Sequence, residues 1–274
     1  MHVAEWMTRT LACAHADEEL TTAADRMTAW RIRHLPVLRS DRLVGVVSER
    51  DIVAEGAQVN RRRVADVMHQ AVITTEPRAD LEAAAALMLR WRVGCLPVLD
   101  GEVLTGMLTR SDVLRARASL EPDDLEEPMT VAQAMRRHPA RAVPDEPLMP
   151  ALRRLESLAL PALPVVDEDA RPIGLLGERE VRAAVGNPLR EAEPEDAATR
   201  LGQLRVAGIM GAPPPVVGPH EPLASAIALL LGGNHEALLV VDEHGRLAGI
   251  LGYCDALRAL RRPAPSPDLA EYWR

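Results

Sequence analysis

Ten residues near the start of the chain, Val3, Met7, Leu20, Met27, Trp30, Leu35, Pro36, Val37, Gly45 and Asp51, recur as Val64, Met68, Leu81, Met88, Trp91, Leu96, Pro97, Val98, Gly106 and Asp112, each displaced by 61 positions. A gapless internal repeat of this kind confines the chain to stacked copies of one supersecondary unit, because neighbouring copies must bury each other's apolar faces. The second half returns to the same unit: Val131, Met135, Leu148, Leu163, Val165 and Gly174 reappear 75 positions later as Val206, Met210, Leu223, Leu238, Val240 and Gly249. Four copies fill the 274 residues.

Each copy has a readable local structure. Leu20, Ala24, Met27 and Trp30 or Arg31 keep helical spacing, and Asp17 stands ahead of them as an expected cap for free N–H groups. Two short apolar runs, 35–38 and 43–47, flank Arg39, Ser40, Asp41 and Arg42, and Asp100-Gly101 occupies the same turn in the second copy. That pattern predicts a hairpin. Its strands are apolar at consecutive positions, so both faces should be covered, with a second helix from Ser48 as the natural cover. The expected order is strand, helix, strand, strand, helix, an α/β (α+β) unit.

A unit of about fifty residues buries too little surface to stand alone comfortably, so adjacent units are expected to pair their sheets. Segments 54–63 and 186–205 would join the units within each pair, and the acidic stretch from Arg115 to Thr130 would join the pairs. The expected divisions are 1–58, 59–120, 121–190 and 191–262, followed by a tail at 263–274 folded against the body. Met27, Met88, Trp30 and Trp91 are expected in the core or between domains.

Composition narrows the function. With 47% hydrophobic and 26% charged residues the chain reads as globular. No apolar run approaches the roughly 18 residues a membrane span needs, and the N-terminus lacks the zones of a signal peptide, so a cytoplasmic protein without membrane contact is expected. Cys13, Cys95 and Cys254 stand far apart without a CxxC pair, and the eight His are scattered, so neither a disulfide framework nor a metal site is expected. No serine sits in a nucleophile turn, and no nucleophile has an evident base. Catalysis is therefore not expected. Residues 1–120 hold 16 Arg against 16 acids, whereas residues 121–274 hold 16 Arg against 24 acids. An anionic ligand would prefer the first half, and the acidic whole disfavours nucleic acid.

Three motifs recur in register: an opening Val-x-x-x-Met, a Leu-Pro-Val strand, and a Gly-hydrophobic-hydrophobic-Ser/Thr-x-x-Asp turn. Together they resemble the CBS domain, named after cystathionine beta-synthase, over nearly the whole chain. The resemblance implies four tandem β-α-β-β-α CBS repeats paired into two Bateman modules. Those modules would associate into a disk, either within one chain, as in the gamma subunit of AMP-activated protein kinase, or between the two chains of a homodimer. It further implies clefts that bind AMP, ADP, ATP or a related adenosyl ligand, and regulation of a protein partner.

The turn from Gly45 to Asp51 carries an argument of its own. Ser48 stands where a strand gives way to a helix, so uncommitted N–H groups and the positive helix end can receive a phosphate. Asp51 can accept both hydroxyls of a ribose, and Thr109 with Asp112 repeats the arrangement, with Arg50 and Arg110 adding charge. By resemblance, Arg33 and His34 take phosphate-facing positions. Also by resemblance, Pro36 and Pro97 of the Leu-Pro-Val strands join the candidate site, and adenine recognition falls to the first strands around Ala12 and Cys13 and around Ile73 and Thr74. Ser-x-x-Asp is equally a capping box that needs no ligand. In the second half Gly177 and Gly252 replace the hydroxyl residue, the acids are Glu180 and Asp255, and Leu239 replaces a proline. A nucleotide in the first pair and a structural or partner-binding role for the second are expected, with a ligand-free scaffold as the alternative.

Overall fold

The computed structural model describes residues 1–55, 59, 61–119, 129–158, 160–177, 179–181, 202–233 and 235–260. The tail at 263–274 and nearly all of the 186–205 connection lie outside the described residues.

The first repeat comprises α1 (Val3–Trp6), β1 (Ala14–His15), α2 (Leu20–Trp30), β2 (His34–Arg39), β3 (Arg42–Ser48) and α3 (Glu49–Glu55). The second comprises α4 (Val64–Val67), α5 (Leu81–Trp91), β4 (Cys95–Asp100), β5 (Val103–Thr109) and α6 (Arg110–Ala118). The third has α7 (Val131–Ala134), β6 (Arg136–Arg137), α8 (Leu148–Ser157), β7 (Leu163–Val166) and β8 (Pro172–Leu176). The fourth has β9 (Val216–Val217), α9 (Leu223–Gly232), β10 (Ala237–Val241), β11 (Leu247–Gly252) and α10 (Tyr253–Ala259).

The local chemistry follows the spacing. Leu20, Ala23 and Met27 form the buried stripe of α2, and Arg31 ends the helix in the left-handed conformation, as Arg92 ends α5. Asp17 does not cap α2: Glu19 holds the N-cap position without a side-chain bond, and Asp17 pairs with Arg39. In the second repeat Asp80, two residues later in register, caps α5 through Glu82 N and Ala83 N. The first hairpin turns through Ser40 and Asp41, both at positive φ, which matches the twist of the flanking strands. Each first strand or bridge runs parallel to the Leu-Pro-Val strand, as Ala14 opposite Val37 and Thr75 opposite Val98 illustrate. The expected connection from Arg115 begins later, because α6 continues to Ala118.

The repeats are interlocked through their opening segments. Val64 N donates to Glu18 O and Ala65 N to Ala16 O, while Val3 N donates to Ala79 O and Ala4 N to Pro77 O. Each Val-x-x-x-Met segment is therefore built onto the paired repeat. The methionine then lies against that repeat's hairpin glycine. A Cβ on Gly45, Gly106, Gly174 or Gly249 would stand 2.7, 2.4, 2.8 or 2.5 Å from the Sδ of Met68, Met7, Met210 or Met135 respectively. This explains why glycine and methionine recur together: the backbone must approach closely, and a flexible thioether fills the space left by the missing Cβ.

Both strand faces are covered, as the consecutive apolar residues require. Leu35 and Val37 face the helices of their own repeat, whereas Leu175, Leu239 and Ile250 pack the third sheet against the fourth. The helices of the second and fourth repeats share one core, in which Leu81, Met88 and Leu114 meet Leu223, Ile227 and Leu257. The described cores of the first and third repeats are separate clusters. Met27 and Met88 are buried as expected, but Trp30 and Trp91 are 54% and 44% exposed. Each is the last residue of its helix.

One buried group breaks the pattern of the repeats. Thr75 is 4% exposed, and its Oγ1 has no hydrogen-bond partner among the described residues. The corresponding positions carry Ala14, Ala142 and Val217. Thr75→Val should raise stability by about 1 kcal/mol, because it removes an unsatisfied hydroxyl at nearly constant volume. Urea unfolding measures this, and an unchanged or lowered midpoint refutes it.

Candidate functional site

The strand-to-helix turns of the first pair form closed hydrogen-bond boxes. Ser48 N and Oγ both donate to Asp51 Oδ2 at 2.7 Å, and Asp51 N returns a bond to Ser48 Oγ at 3.3 Å. Thr109 N and Oγ1 donate to Asp112 Oδ2 at 2.8 and 2.6 Å. Both hydroxyls thus serve their own helix starts. The second carboxylate oxygens face side chains that can yield: Asp51 Oδ1 meets His69 Nε2 at 2.9 Å, and Asp112 Oδ1 meets Arg115 Nη1 at 2.8 Å. His69 and Arg115 are 73% and 54% exposed, so each contact is worth about 1 kcal/mol or less and could give way to a ribose.

The turns of the second pair differ in kind. Gly177 N donates to Glu180 Oε2 and Gly252 N to Asp255 Oδ2, with no hydroxyl in either. Asp255, at 1% side-chain exposure, is held by Arg136 at 2.8 Å and by Arg258 at 3.3 Å. Two arginines therefore occupy the outer oxygen that a ribose would need.

Between the turns lies a cationic junction. His34 opens β2 and stacks on Gly94, where a Cβ would come within 2.7 Å of the ring. Burial, reinforced by the charges of Arg33, Arg110 and Arg50, holds the imidazole pKa down to about 3, so His34 is neutral at pH 7. It contributes shape there rather than charge. Arg110 donates to Val93 O at 3.1 Å and to Arg92 O at 3.2 Å, closing the C-terminal end of α5. Its own pKa is lowered by burial first, and Arg33 and Arg50 add to the effect. Burial pushes the neighbouring Cys95 thiol up to about 12, so it stays protonated.

The remaining expected residues lie on the hairpins and the segments that enter them. Cys13 precedes β1 and its carbonyl accepts from Arg26 at 2.7 Å, while burial raises its thiol pKa. Ile73 packs on the core shared by the second and fourth repeats. Pro36 lies opposite Val46 in its hairpin, and Pro97 O accepts from Thr75 N at 3.0 Å. Sequence reasoning missed His69 and Arg136. Each follows the methionine of one repeat and lands on the acid of the paired repeat, so only the exchange of opening segments reveals them. Among the described residues, no three His, Cys, Asp or Glu side chains are grouped to hold a metal, and no helix is long and apolar enough to cross a membrane.

Comparison with known proteins gives a consistent match. The CBS domain family matches at residues 3–57, 64–119, 131–187 and 206–262. The fold superposes on the crystal structure of a Methanocaldococcus jannaschii protein, proposed there as an archaeal homolog of g-AMPK, with TM-score 0.83 and 23% identity. That superposition covers 94% of this chain and 99% of that one. A Pyrococcus horikoshii protein superposes with TM-score 0.65 and 23% identity, covering 95% and 100%. A homoserine O-acetyltransferase of Methanococcoides burtonii is 36% identical over 124 residues, which are 45% of this chain and 24% of that enzyme. The chain thus spans about a quarter of the length of the first curated relatives it matches.

Proposed function

The chain belongs to the CBS domain family, carrying four copies of the domain, and from that premise we propose that it is a non-catalytic regulatory protein whose first pair of repeats binds an adenine nucleotide. The observation that carries this reading is the cationic junction. Arg33, Arg50 and Arg110 gather positive charge beside His34, with burial the main cause of the lowered Arg110 pKa, and a phosphate group would find complementary charge there. Asp51 follows Arg50 directly and Asp112 follows Arg110 by two residues, and among the described residues the outer oxygen of each meets an exposed side chain that a ribose can displace. The second pair, with its glycines and the doubly held Asp255, is assigned a structural or partner-binding role. AMP, ADP or ATP is the expected ligand, and a change in packing between modules or with a regulated protein is the expected output.

The alternative is a ligand-free scaffold. It draws support from the closed boxes, in which Ser48 and Thr109 already spend their hydroxyls on Asp51 and Asp112. Thermal melting with AMP, ADP, ATP, S-adenosylmethionine and GTP separates the two. A ligand at about 100 times its dissociation constant adds about 2.7 kcal/mol of stability. The double variant Ser48→Gly, Thr109→Gly should melt within a few tenths of a kcal/mol of the parent when unliganded, since glycine is tolerated at a cap. It should lose the nucleotide shift. Silence of the parent toward all five compounds selects the scaffold, and equal shifts in parent and variant remove the two hydroxyls from the site.

A further inference from the structure

The residue after Ser48, Thr109, Gly177 and Gly252 in the four turns is Glu49, Arg110, Glu178 and Tyr253 respectively. Tyr253 is one of two tyrosines in a chain without phenylalanine, so an aromatic ring at this polar position is conspicuous. The ring is 6% exposed and lies in the core shared by the second and fourth repeats. Its hydroxyl donates to Leu230 O of α9 at 3.0 Å, which fixes the plane of the ring. Over that ring stands the guanidinium of Arg33, a residue of the first repeat, with Cζ 5.8 Å from the centroid. The distance lies within the range in which a cation is attracted by an aromatic face. Arg33 is also among the charges that act on Arg110 and His34, so the same guanidinium belongs both to the cationic junction and to a contact between modules.

We propose that Tyr253 is a positioning residue that holds Arg33 across the module boundary, toward the phosphate of a nucleotide bound in the first module. The inference rests on the nucleotide reading above and adds what that reading leaves open, namely how the second module senses occupancy. A repeat without a hydroxyl at its own turn contributes an aromatic platform to the site of another. Docking of the fourth repeat presents Arg33 ready for the anion while the guanidinium stays over the ring, so phosphate binding and docking favour each other. By linkage the two equilibria bias each other to the same extent.

Calorimetric titration of the full chain with ATP and AMP, and in parallel with adenosine, tests this in the parent, Tyr253→Phe and Tyr253→Leu. Tyr253→Leu should bind ATP and AMP about fivefold more weakly while adenosine affinity stays within about twofold, as expected for loss of one cation–π contact. Tyr253→Phe keeps the ring and should keep the parental ratio of nucleotide to nucleoside affinity, even if losing the hydroxyl bond lowers stability. A ratio unchanged in Tyr253→Leu, or ATP and adenosine weakened equally, overturns the positioning role while leaving the nucleotide site intact. A parent that binds none of the three removes the nucleotide reading itself.

Discussion

Replacing Arg117 by alanine is expected to destabilise the folded protein by about 3–5 kcal/mol, the usual consequence of removing one member of a buried ion pair. The Arg117 side chain is only 4% exposed. Its Nε donates to Glu82 Oε1 at 3.0 Å, its Nη2 to Glu82 Oε2, and its Nη1 to Leu257 O at 2.9 Å. One guanidinium thus ties α6 to α5 and both to the last turns of α10, binding the second repeat to the fourth. Alanine leaves the Glu82 carboxylate and the Leu257 carbonyl with lost partners in a mostly dry site, and their desolvation accounts for the effect. Glu82→Leu combined with Arg117→Met, which removes both charges and keeps apolar volume, should recover most of the loss. Denaturant unfolding of the three variants reads this directly. A loss below about 1 kcal/mol for Arg117→Ala would mean that the pair behaves as a surface contact.

The second large effect is expected at the interlock between paired repeats. In Gly106→Val the new Cβ would fall 2.4 Å from Met7 Sδ and 3.0 Å from its Cγ. Met7 is nearly buried, and the next residue is pinned by reciprocal bonds of 2.9 Å between Thr8 and Met107, so the thioether has little room to withdraw. Overpacking of this kind costs about 1–3 kcal/mol. Met7→Ala alone should cost about 2–5 kcal/mol through the cavity it leaves. Combined, the two substitutions should cost clearly less than their sum, because the valine methyls enter the space that Met7 vacates. Strict additivity in that double-mutant cycle would refute the contact.

Much of the fold was legible in the residues, and the reason is local. The α2 and α5 stripes, the Leu-Pro-Val hairpins and the turn at Ser48 and Thr109 depend on side-chain periods of 3.6 and 2, which any stretch of ten residues displays. The same reading misplaced Trp30 and Trp91, which end their helices partly exposed, because helical spacing shows which face a residue joins but not how much of that face is covered. It also placed a cap at Asp17, although capping choice depends on where the chain enters the helix, which in this repeat is set by bonds to residues 62–65.

The candidate site divides along the same line. Ser48, Asp51, Thr109 and Asp112 were visible because a capping box lies within four residues of chain. His69 on Asp51, Arg136 on Asp255, Tyr253 under Arg33 and Arg117 on Glu82 join residues 18, 119, 220 and 35 positions apart. The four-fold repetition, the type of each element and the difference between the two halves were determined by the sequence alone, since periodicity and turn chemistry act over a few residues. Which methionine fills which glycine's gap, and which arginine faces which acid or ring, was decided only when the chain returned on itself, because close packing couples groups by distance in space and not along the backbone.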